Sequence, residues 1–195
     1  MGWGTLSAMT PPRTKAALVA AVERGETFTY LPFHGHAPER DGSAGPGCLS
    51  QWWPAPFTVD GNTFATAEHY MMWRKATMFG DPETAGEILA AGTPRAAKAL
   101  GRRARNFDQA AWAAARYEIV VAAGTHKFGQ HEDLRAFLHG TGEHVLVEAS
   151  PRDRIWGVGL GRNNPAAHDP AQWRGLNLLG FALCDVRDVL ARATA

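Results

Sequence analysis

Helix-capping residues divide the middle of this chain into a series of helices. Thr66, Asp81 and Thr93 are residue types that accept hydrogen bonds from the free backbone N–H groups at the start of a helix. Proline follows Asp81 and Thr93, and proline is favoured at the first helical position. Asp108 precedes an Ala-rich segment that predicts a long helix to about Lys127. This many helix starts leave little chain for strands, so they predict a mainly helical protein.

The rest of the predicted secondary structure consists of a few more helices and some short strands. Asp60-Gly61, a dipeptide typical of two-residue hairpin turns, separates short strands at 57–59 and 62–64. Further strands are predicted at 27–33, 144–148 and 155–158, and further helices at 11–22 (capped by Thr10), 131–138 and 178–192. Residues 34–48, rich in Gly, Pro, His and charge, predict a long loop. Because strands do not alternate with helices, we expect an α+β fold and not a doubly wound sheet.

Length, charge and cysteine content exclude several classes of protein. The chain has 195 residues, which suits one hydrophobic core. With 20 Lys and Arg against 19 Asp and Glu, its net charge of +1 gives no general attraction to nucleic acid or anionic membrane. Two distant cysteines cannot build a disulfide framework. There is no apolar run near the roughly 20 residues that span a bilayer and no signal-peptide core, so we expect no membrane association and a cytoplasmic location.

The histidines show no spacing typical of a metal site. His34 and His36 lie two residues apart in the predicted loop, and no third ligand is spaced to join them. The later histidines likewise match no metal-binding motif. We therefore expect neither a metal ion nor another cofactor.

One predicted helix carries an acid and an amine on an apolar face. On a helix that turns about 100° per residue, Glu68 and Lys75 lie about 20° apart around the axis and roughly 10 Å apart along it. Met71, Met72 and Phe79 share this face. If the face lines a pocket, burial perturbs both pKa values, and the pair is suited to act as base and nucleophile. In the alternative interpretation, both side chains extend past the core to solvent.

A second candidate segment follows a predicted short strand. Ser150-Pro151 indicates a turn, which places Asp153 on a loop just ahead of Trp156 and Gly157. In that arrangement the indole can stack on a flat ligand, the carboxyl group can exchange a proton, and the glycine admits close backbone approach. A polar turn beside a core tryptophan is the alternative interpretation.

The motifs of the chain, taken in order, resemble those of the NADAR family of YbiA-like proteins. The resemblance covers about residues 47–190 and rests on Leu49–Phe57 (LSQWWPAPF), Asp60-Gly61, Thr66–Tyr70 (TAEHY) with Lys75, Thr93-Pro94, Lys127-Phe128, Thr141-Gly142, Leu146–Glu148 (LVE), Asp153–Gly157 (DRIWG) and Gly175–Gly180 (GLNLLG). Two details depart from the family pattern. Gln51 stands where an Asn is typical, and Trp52-Trp53 replaces a pair similar to Phe-Tyr.

The resemblance implies a single compact, mainly helical α+β domain with a few short strands and a central ligand pocket. It assigns residues 27–195 to the family domain and residues 1–26 to an N-terminal extension with one helix. It also implies an N-glycosidase that cleaves a ribose–nitrogen bond. One branch of the family acts on ribosylamino-pyrimidine intermediates of riboflavin biosynthesis, and another removes ADP-ribose from guanine bases. A non-catalytic module that binds ADP-ribose or a nucleotide is the alternative function.

The matched motifs also imply a set of site residues. Glu68 stabilises the cation that develops at C1′ or activates water, and Lys75 attacks C1′ and carries the opened sugar as an imine. Asp153, or Glu148, protonates the departing nitrogen. The implied substrate-binding residues are Ser50, Trp52, His69, Tyr70, Glu148, Trp156, Gly157 and Asn177, with Trp52 and Trp156 stacking on the base. The expected partner is a small ribosyl or ADP-ribosyl substrate, with ADP-ribosylated nucleic acid as a second class.

Overall fold

Seven α-helices and four short strands form the regular structure of residues 11–193, which the computed structural model describes. The helices are α1 (Lys15–Glu23), α2 (Ala67–Met78), α3 (Pro82–Leu89), α4 (Pro94–Gly101), α5 (Gln109–Gln130), α6 (Glu132–Gly140) and α7 (Leu178–Ala193). The strands are β1 (Tyr30–Phe33), β2 (Phe57–Val59), β3 (Asn62–Phe64) and β4 (Val145–Glu148). The predicted α+β class, mainly helical, is confirmed.

The predicted helix caps form through side-chain hydrogen bonds. Thr66, Asp81, Thr93 and Asp108 each accept a hydrogen bond from the backbone N–H three residues later. These bonds satisfy donors that a helix start leaves free, so α2 to α5 begin where the sequence predicts. Local chemistry thus fixes the start of the helix that carries Glu68.

The first helix begins later than predicted and packs on the body of the protein. Thr14 caps α1, whereas the predicted cap Thr10 lies outside the described residues. Leu18 of α1 is fully buried in a small apolar cluster with Val145 and Val147 of β4. The division of the chain at residue 26 stays a prediction.

Two separate pairs of strands form. β2 and β3 make the predicted antiparallel hairpin, in which Phe57 pairs with Phe64 and both turn residues, Asp60 and Gly61, have positive φ. β1 pairs with β4 in parallel, although more than a hundred residues separate them in the chain. The predicted loop at 34–48 is irregular up to a short 3₁₀ turn at Pro46–Leu49.

The prediction of a strand at 155–158 is wrong, because residues 154–157 form a series of bends. The Asp153 carboxylate accepts hydrogen bonds from the N–H groups of Ile155 and Trp156, at 2.9 and 2.8 Å. The chain then turns back, and the Gly159 N–H donates to the Asp153 carbonyl at 3.0 Å. These local bonds hold the backbone in a compact loop, and this conformation is incompatible with an extended strand.

The main core lies between α2, α5 and α7, with the hairpin at one side. α5 and α7 approach closely at Gly124, where a Cβ atom would lie 2.7 Å from Cγ2 of Val186. Gly101 at the end of α4 likewise allows a close approach to α2, because a Cβ atom there would clash with Met72. None of the helices formed by residues 11–193 is long and apolar enough to cross a membrane.

Candidate active site

A cavity of about 370 Å³ lies between the first turn of α2, the end of β4 and the loops beside them. Its walls are formed by His34, Gly35, His36, Ser50, Gln51, Trp52, Glu68, Met71, Lys98, Glu148, Ser150, Asp153, Trp156 and Leu179. Three carboxyl groups, two indoles and one amine therefore face one space. Six predicted site residues are among them, namely Ser50, Trp52, Glu68, Glu148, Asp153 and Trp156.

Glu68 is the most deeply buried acid of the cavity. Its exposed fraction is 3%, and its Oε1 atom has no hydrogen-bond partner among the described residues. Its backbone N–H donates to the Gln51 carbonyl at 3.0 Å, which ties the start of α2 to the loop that carries Trp52. Burial raises the pKa of Glu68, while the positive charges of Lys98 and Arg102 oppose that rise. A desolvated oxygen without a partner is available to a ligand or to water.

Glu148 and Asp153 supply two further carboxyl groups, from the end of β4 and from the loop that follows it. Glu148 ends β4, and its Oε1 lies 3.5 Å from Nδ1 of His34. Burial raises the pKa of Glu148, and the contact with His34 opposes the rise. Asp153 is held by the backbone bonds of its own loop, and its negative charge raises the pKa of both glutamates. Proton exchange and cation stabilisation both lie within the chemistry of such a group of acids.

Aromatic rings form flat walls of the cavity. Trp52 and Trp156 are both half-buried and line it. The Lys98 Nζ atom and the His36 ring each lie 5.8 Å from the centre of the Trp52 ring. Such walls suit a planar ligand bound next to cationic groups.

A buried lysine holds the loop that carries Ser50 and Trp52. Lys127 of α5 is 1% exposed, and its Nζ donates to the carbonyl oxygens of Cys48 and Ser50 at 2.5 and 2.9 Å. Ser50 in turn accepts the Trp52 N–H on its hydroxyl oxygen at 3.1 Å. Burial lowers the pKa of Lys127 to about 7. Lys127 therefore affects the cavity indirectly, because it positions the loop that carries Ser50 and Trp52.

Lys75 does not join Glu68 in the cavity. Its Nζ lies 4.1 Å from the ring centre of Phe107 and 5.7 Å from that of Trp112, and it is not among the described residues that line the cavity. Its pKa is lowered by burial and by Arg102, in the direction predicted. The predicted shared pocket fails because aromatic side chains occupy the space at this end of α2.

Two of the predicted substrate-binding residues, His69 and Tyr70, have their side chains packed against other parts of the protein. His69 bonds with the Thr66 hydroxyl at 2.8 Å and with the Ala91 carbonyl at 3.0 Å, which uses both ring nitrogens. Tyr70 stacks edge-on against Phe64, with ring centres 5.1 Å apart. Neither side chain belongs to the described lining of the cavity.

Asn177 and Gly157 support Glu148. The Asn177 side chain accepts the Glu148 N–H and donates to the Leu146 carbonyl, both at 2.9 Å. A Cβ atom at Gly157 would lie 2.8 Å from the Glu148 carbonyl oxygen, so glycine lets the loop of Trp156 close onto β4. Both residues help to position the Glu148 carboxyl group, and neither lines the cavity in the described part of the chain.

Several residues of the cavity do not follow from the sequence motifs. Lys98 follows a predicted cap by five residues, and nothing in its own segment relates it to Glu68. The spacing of His34 and His36 matches no metal site, and it does not predict that His34 lies beside Glu148 or that His36 lies beside Trp52. Within residues 11–193, no group of three or more His, Cys, Asp or Glu side chains could hold a metal ion.

Comparison with known proteins defines the class of this enzyme. The NMR structure of the Escherichia coli protein YbiA superposes with a TM-score of 0.66 at 28% identity, covering 87% of this chain and 90% of that one. N-glycosidase R617 of Acanthamoeba polyphaga mimivirus is 39% identical, over 84% of this chain and 97% of its own length. N-glycosidase YbiA of Escherichia coli strain K12 is 32% identical, over 70% of this chain and 76% of its own.

Fold and relatives together identify an N-glycosidase, a hydrolase of N-glycosyl bonds. Residues 38–191 match the model of the NADAR domain, which spans every described residue of the cavity except the loop at 34–36. The chain belongs to the NADAR family. The resemblance drawn from the sequence motifs is confirmed.

Proposed function

We propose that this protein hydrolyses the bond between ribose C1′ and a nitrogen atom in a small ribosyl or ADP-ribosyl substrate. The observation that carries the proposal is the buried Glu68 carboxylate, whose Oε1 lacks a protein partner among residues 11–193 and which lines a cavity with aromatic walls. Cleavage of the C–N bond develops positive charge at C1′, and a desolvated carboxylate stabilises such a cation or takes a proton from the attacking water.

The second requirement is a proton for the departing nitrogen. We assign the acid role to Glu148, because its carboxyl group lines the cavity in contact with His34 and burial raises its pKa. Asp153 is the alternative donor in the same wall. The presence of three carboxyl groups in the lining of one cavity supports hydrolysis over binding alone.

The walls also indicate what the leaving group is. Trp52 and Trp156 offer two indoles to a flat base. A volume of about 370 Å³ lies near the lower end of the range of roughly 300–1,000 Å³ typical of small-molecule sites. This size and the net charge of +1 favour a ribosylamino-pyrimidine over an ADP-ribosylated guanine in nucleic acid.

Two routes to C1′ remain to be separated by experiment. In the first, water attacks with the help of Glu68. In the second, a lysine amine attacks and the opened sugar is carried as an imine. Lys98 is the one lysine among the described residues that line the cavity, so an imine route would run through Lys98 and not Lys75. We favour the water route, because the Oε1 atom of Glu68 has no hydrogen-bond partner among the described residues and lines the cavity, where it can bind the attacking water.

The test is turnover by the purified protein. A phosphorylated ribosylamino-pyrimidine and an ADP-ribosylated guanine nucleoside are incubated separately, and free ribose phosphate or ADP-ribose is measured by mass spectrometry. We expect release from the ribosylamino-pyrimidine. Tight binding of either compound without any release would favour the alternative, a non-catalytic module for ADP-ribose or a nucleotide.

A further inference from the structure

The first residue after β1 meets the last residue of β4. In the parallel pairing Phe33 lies opposite Glu148, so His34 follows at the mouth of the cavity. The Ala149 N–H donates to the Phe33 carbonyl at 2.8 Å and fixes this register one residue further. The backbone of both partners is thus set by strand pairing, and the distance of 3.5 Å between His34 Nδ1 and Glu148 Oε1 follows from it.

The two side chains differ in access to water. The imidazole of His34 is 51% exposed, while the carboxyl group of Glu148 is 13% exposed and faces the cavity. One ring nitrogen of His34 therefore meets the acid, and the remainder of the ring meets solvent. A substrate base between Trp52 and Trp156 would cover Glu148 further, which leaves the imidazole as its contact with water.

We propose that His34 is a positioning residue that relays protons from solvent to Glu148 during turnover. This role rests on the proposed N-glycosidase activity and deepens it. His34 lies before residue 38, where the match to the NADAR domain begins.

The proton balance of hydrolysis shows why a relay is needed. Water forms the new C1′–O bond and gives its proton to Glu68, while the C1′–N bond breaks and Glu148 gives a proton to the leaving nitrogen. One water is consumed, Glu68 has gained a proton and Glu148 has lost one. Glu68 then releases its proton to solvent, and Glu148 must regain one. The imidazolium of His34 supplies it through the existing contact and is recharged from bulk water.

The charges around the pair agree with this role. Contact with Glu148 raises the pKa of His34, against burial and the positive charge of Arg162. Burial raises the pKa of Glu148, as does the negative charge of Asp153, and His34 and Lys98 lower it. The pair therefore retains a shared proton to higher pH than either group would alone.

The pH profile of His34→Gln tests the relay. In the wild type, kcat falls when the pair loses its last proton. Without the imidazole, Glu148 must hold that proton alone, so the alkaline limb of kcat moves to lower pH. We expect kcat near neutral pH to fall by up to about 10²-fold, the low end for general acid–base catalysis, with little change in KM. His139→Gln, on α6 and outside the described lining of the cavity, is the matched control.

Two further measurements separate a relay from a merely structural role. Added imidazole should restore turnover to His34→Ala in a saturable manner, but not to Glu148→Gln. In the Glu148→Gln background, His34→Gln should cost no additional activity. An unchanged alkaline limb together with no imidazole rescue would overturn the proposal.

A readout without turnover keeps this proposal distinct from the proposed function. Titration by NMR should show the pKa of His34 falling in Glu148→Gln, because the partner that raises it is gone. An unchanged pKa would overturn the pair itself, whatever the substrate. Wild-type protein that turns over neither substrate would overturn the proposed function, and the relay with it.

Discussion

The two ends of α2 hold ionisable side chains in different surroundings. At the first turn, Glu68 is 3% exposed, faces the cavity and has an oxygen without a partner among the described residues. At the last turn, Lys75 is half-buried, and its amine lies over the rings of Phe107 and Trp112. One helix face thus carries an acid with an oxygen available to a ligand and an amine that packs against aromatic rings.

The difference shows what helical periodicity can and cannot predict. Spacing places two side chains on one face, but the segments packed against that face decide what each side chain meets. At Glu68 the neighbours are the loops at 50–52 and 150–156, which stand apart and leave a cavity. At Lys75 they are the segment and helix that carry Phe107 and Trp112, which fill the space.

The largest effect should come from Glu68→Gln. The substitution keeps the shape of the side chain but removes its charge, so kcat should fall about 10²-fold or more while the fold is retained. Steady-state kinetics and circular dichroism measure the two quantities. Glu87→Gln, an exposed position on α3, is the control. A Glu68→Gln protein with more than half of the wild-type kcat would remove this carboxylate from the mechanism.

An aromatic substitution beside the Glu68 end of α2 should weaken substrate binding, whereas one beside the Lys75 end should lower the stability of the fold. Trp156→Ala should raise KM by about 5- to 150-fold, since a stacked base contributes about 1–3 kcal/mol. Trp112 is 8% exposed and packs in the core, so Trp112→Ala should lower the free energy of unfolding by about 3–5 kcal/mol. Substrate titration and chemical denaturation distinguish the two. If Trp156→Ala unfolds instead, Trp156 belongs to the core and the polar-turn interpretation of its loop is right.

Lys98→Met should change the pH dependence of turnover. Lys98 lowers the pKa of Glu68, so its loss lets burial raise that pKa further. Because the reaction needs ionised Glu68, the acid limb of kcat/KM should move to higher pH. Near neutral pH we expect a loss of about tenfold, or about 1.4 kcal/mol. An acid limb that stays in place would show that Lys98 does not act on Glu68.

Local chemistry explains which parts of this molecule are predictable from sequence. Caps such as Thr66 and the Asp60-Gly61 turn act within a few residues, and the structure contains both. The pairing of β1 with β4 and the approach of Lys98 to the cavity depend on distant segments. The strand predicted at 155–158 fails for a local reason, since the Asp153 carboxylate binds the backbone of the next residues. The apolar face of α2 predicts the burial of Glu68, but the cavity beside it depends on the loops at 50–52 and 150–156.

The smallest effect should come from Lys75→Met, and it is the sharpest test of the comparison. Lys75 touches aromatic rings and not the described lining of the cavity, so turnover should stay within about twofold of wild type, while the lost cation–π contact costs about 0.5–1 kcal/mol of stability. Borohydride added during turnover should leave no sugar adduct on the peptide that contains Lys75, because the Lys75 amine lies over aromatic rings and not in the described lining of the cavity. An adduct on the Lys98 peptide, lost in Lys98→Met, would establish the imine route at the cavity end and replace water attack. An adduct on Lys75 with loss of activity in Lys75→Met would break the comparison, because both ends of α2 would then act on one substrate and the rings of Phe107 and Trp112 would have to release the amine before each reaction.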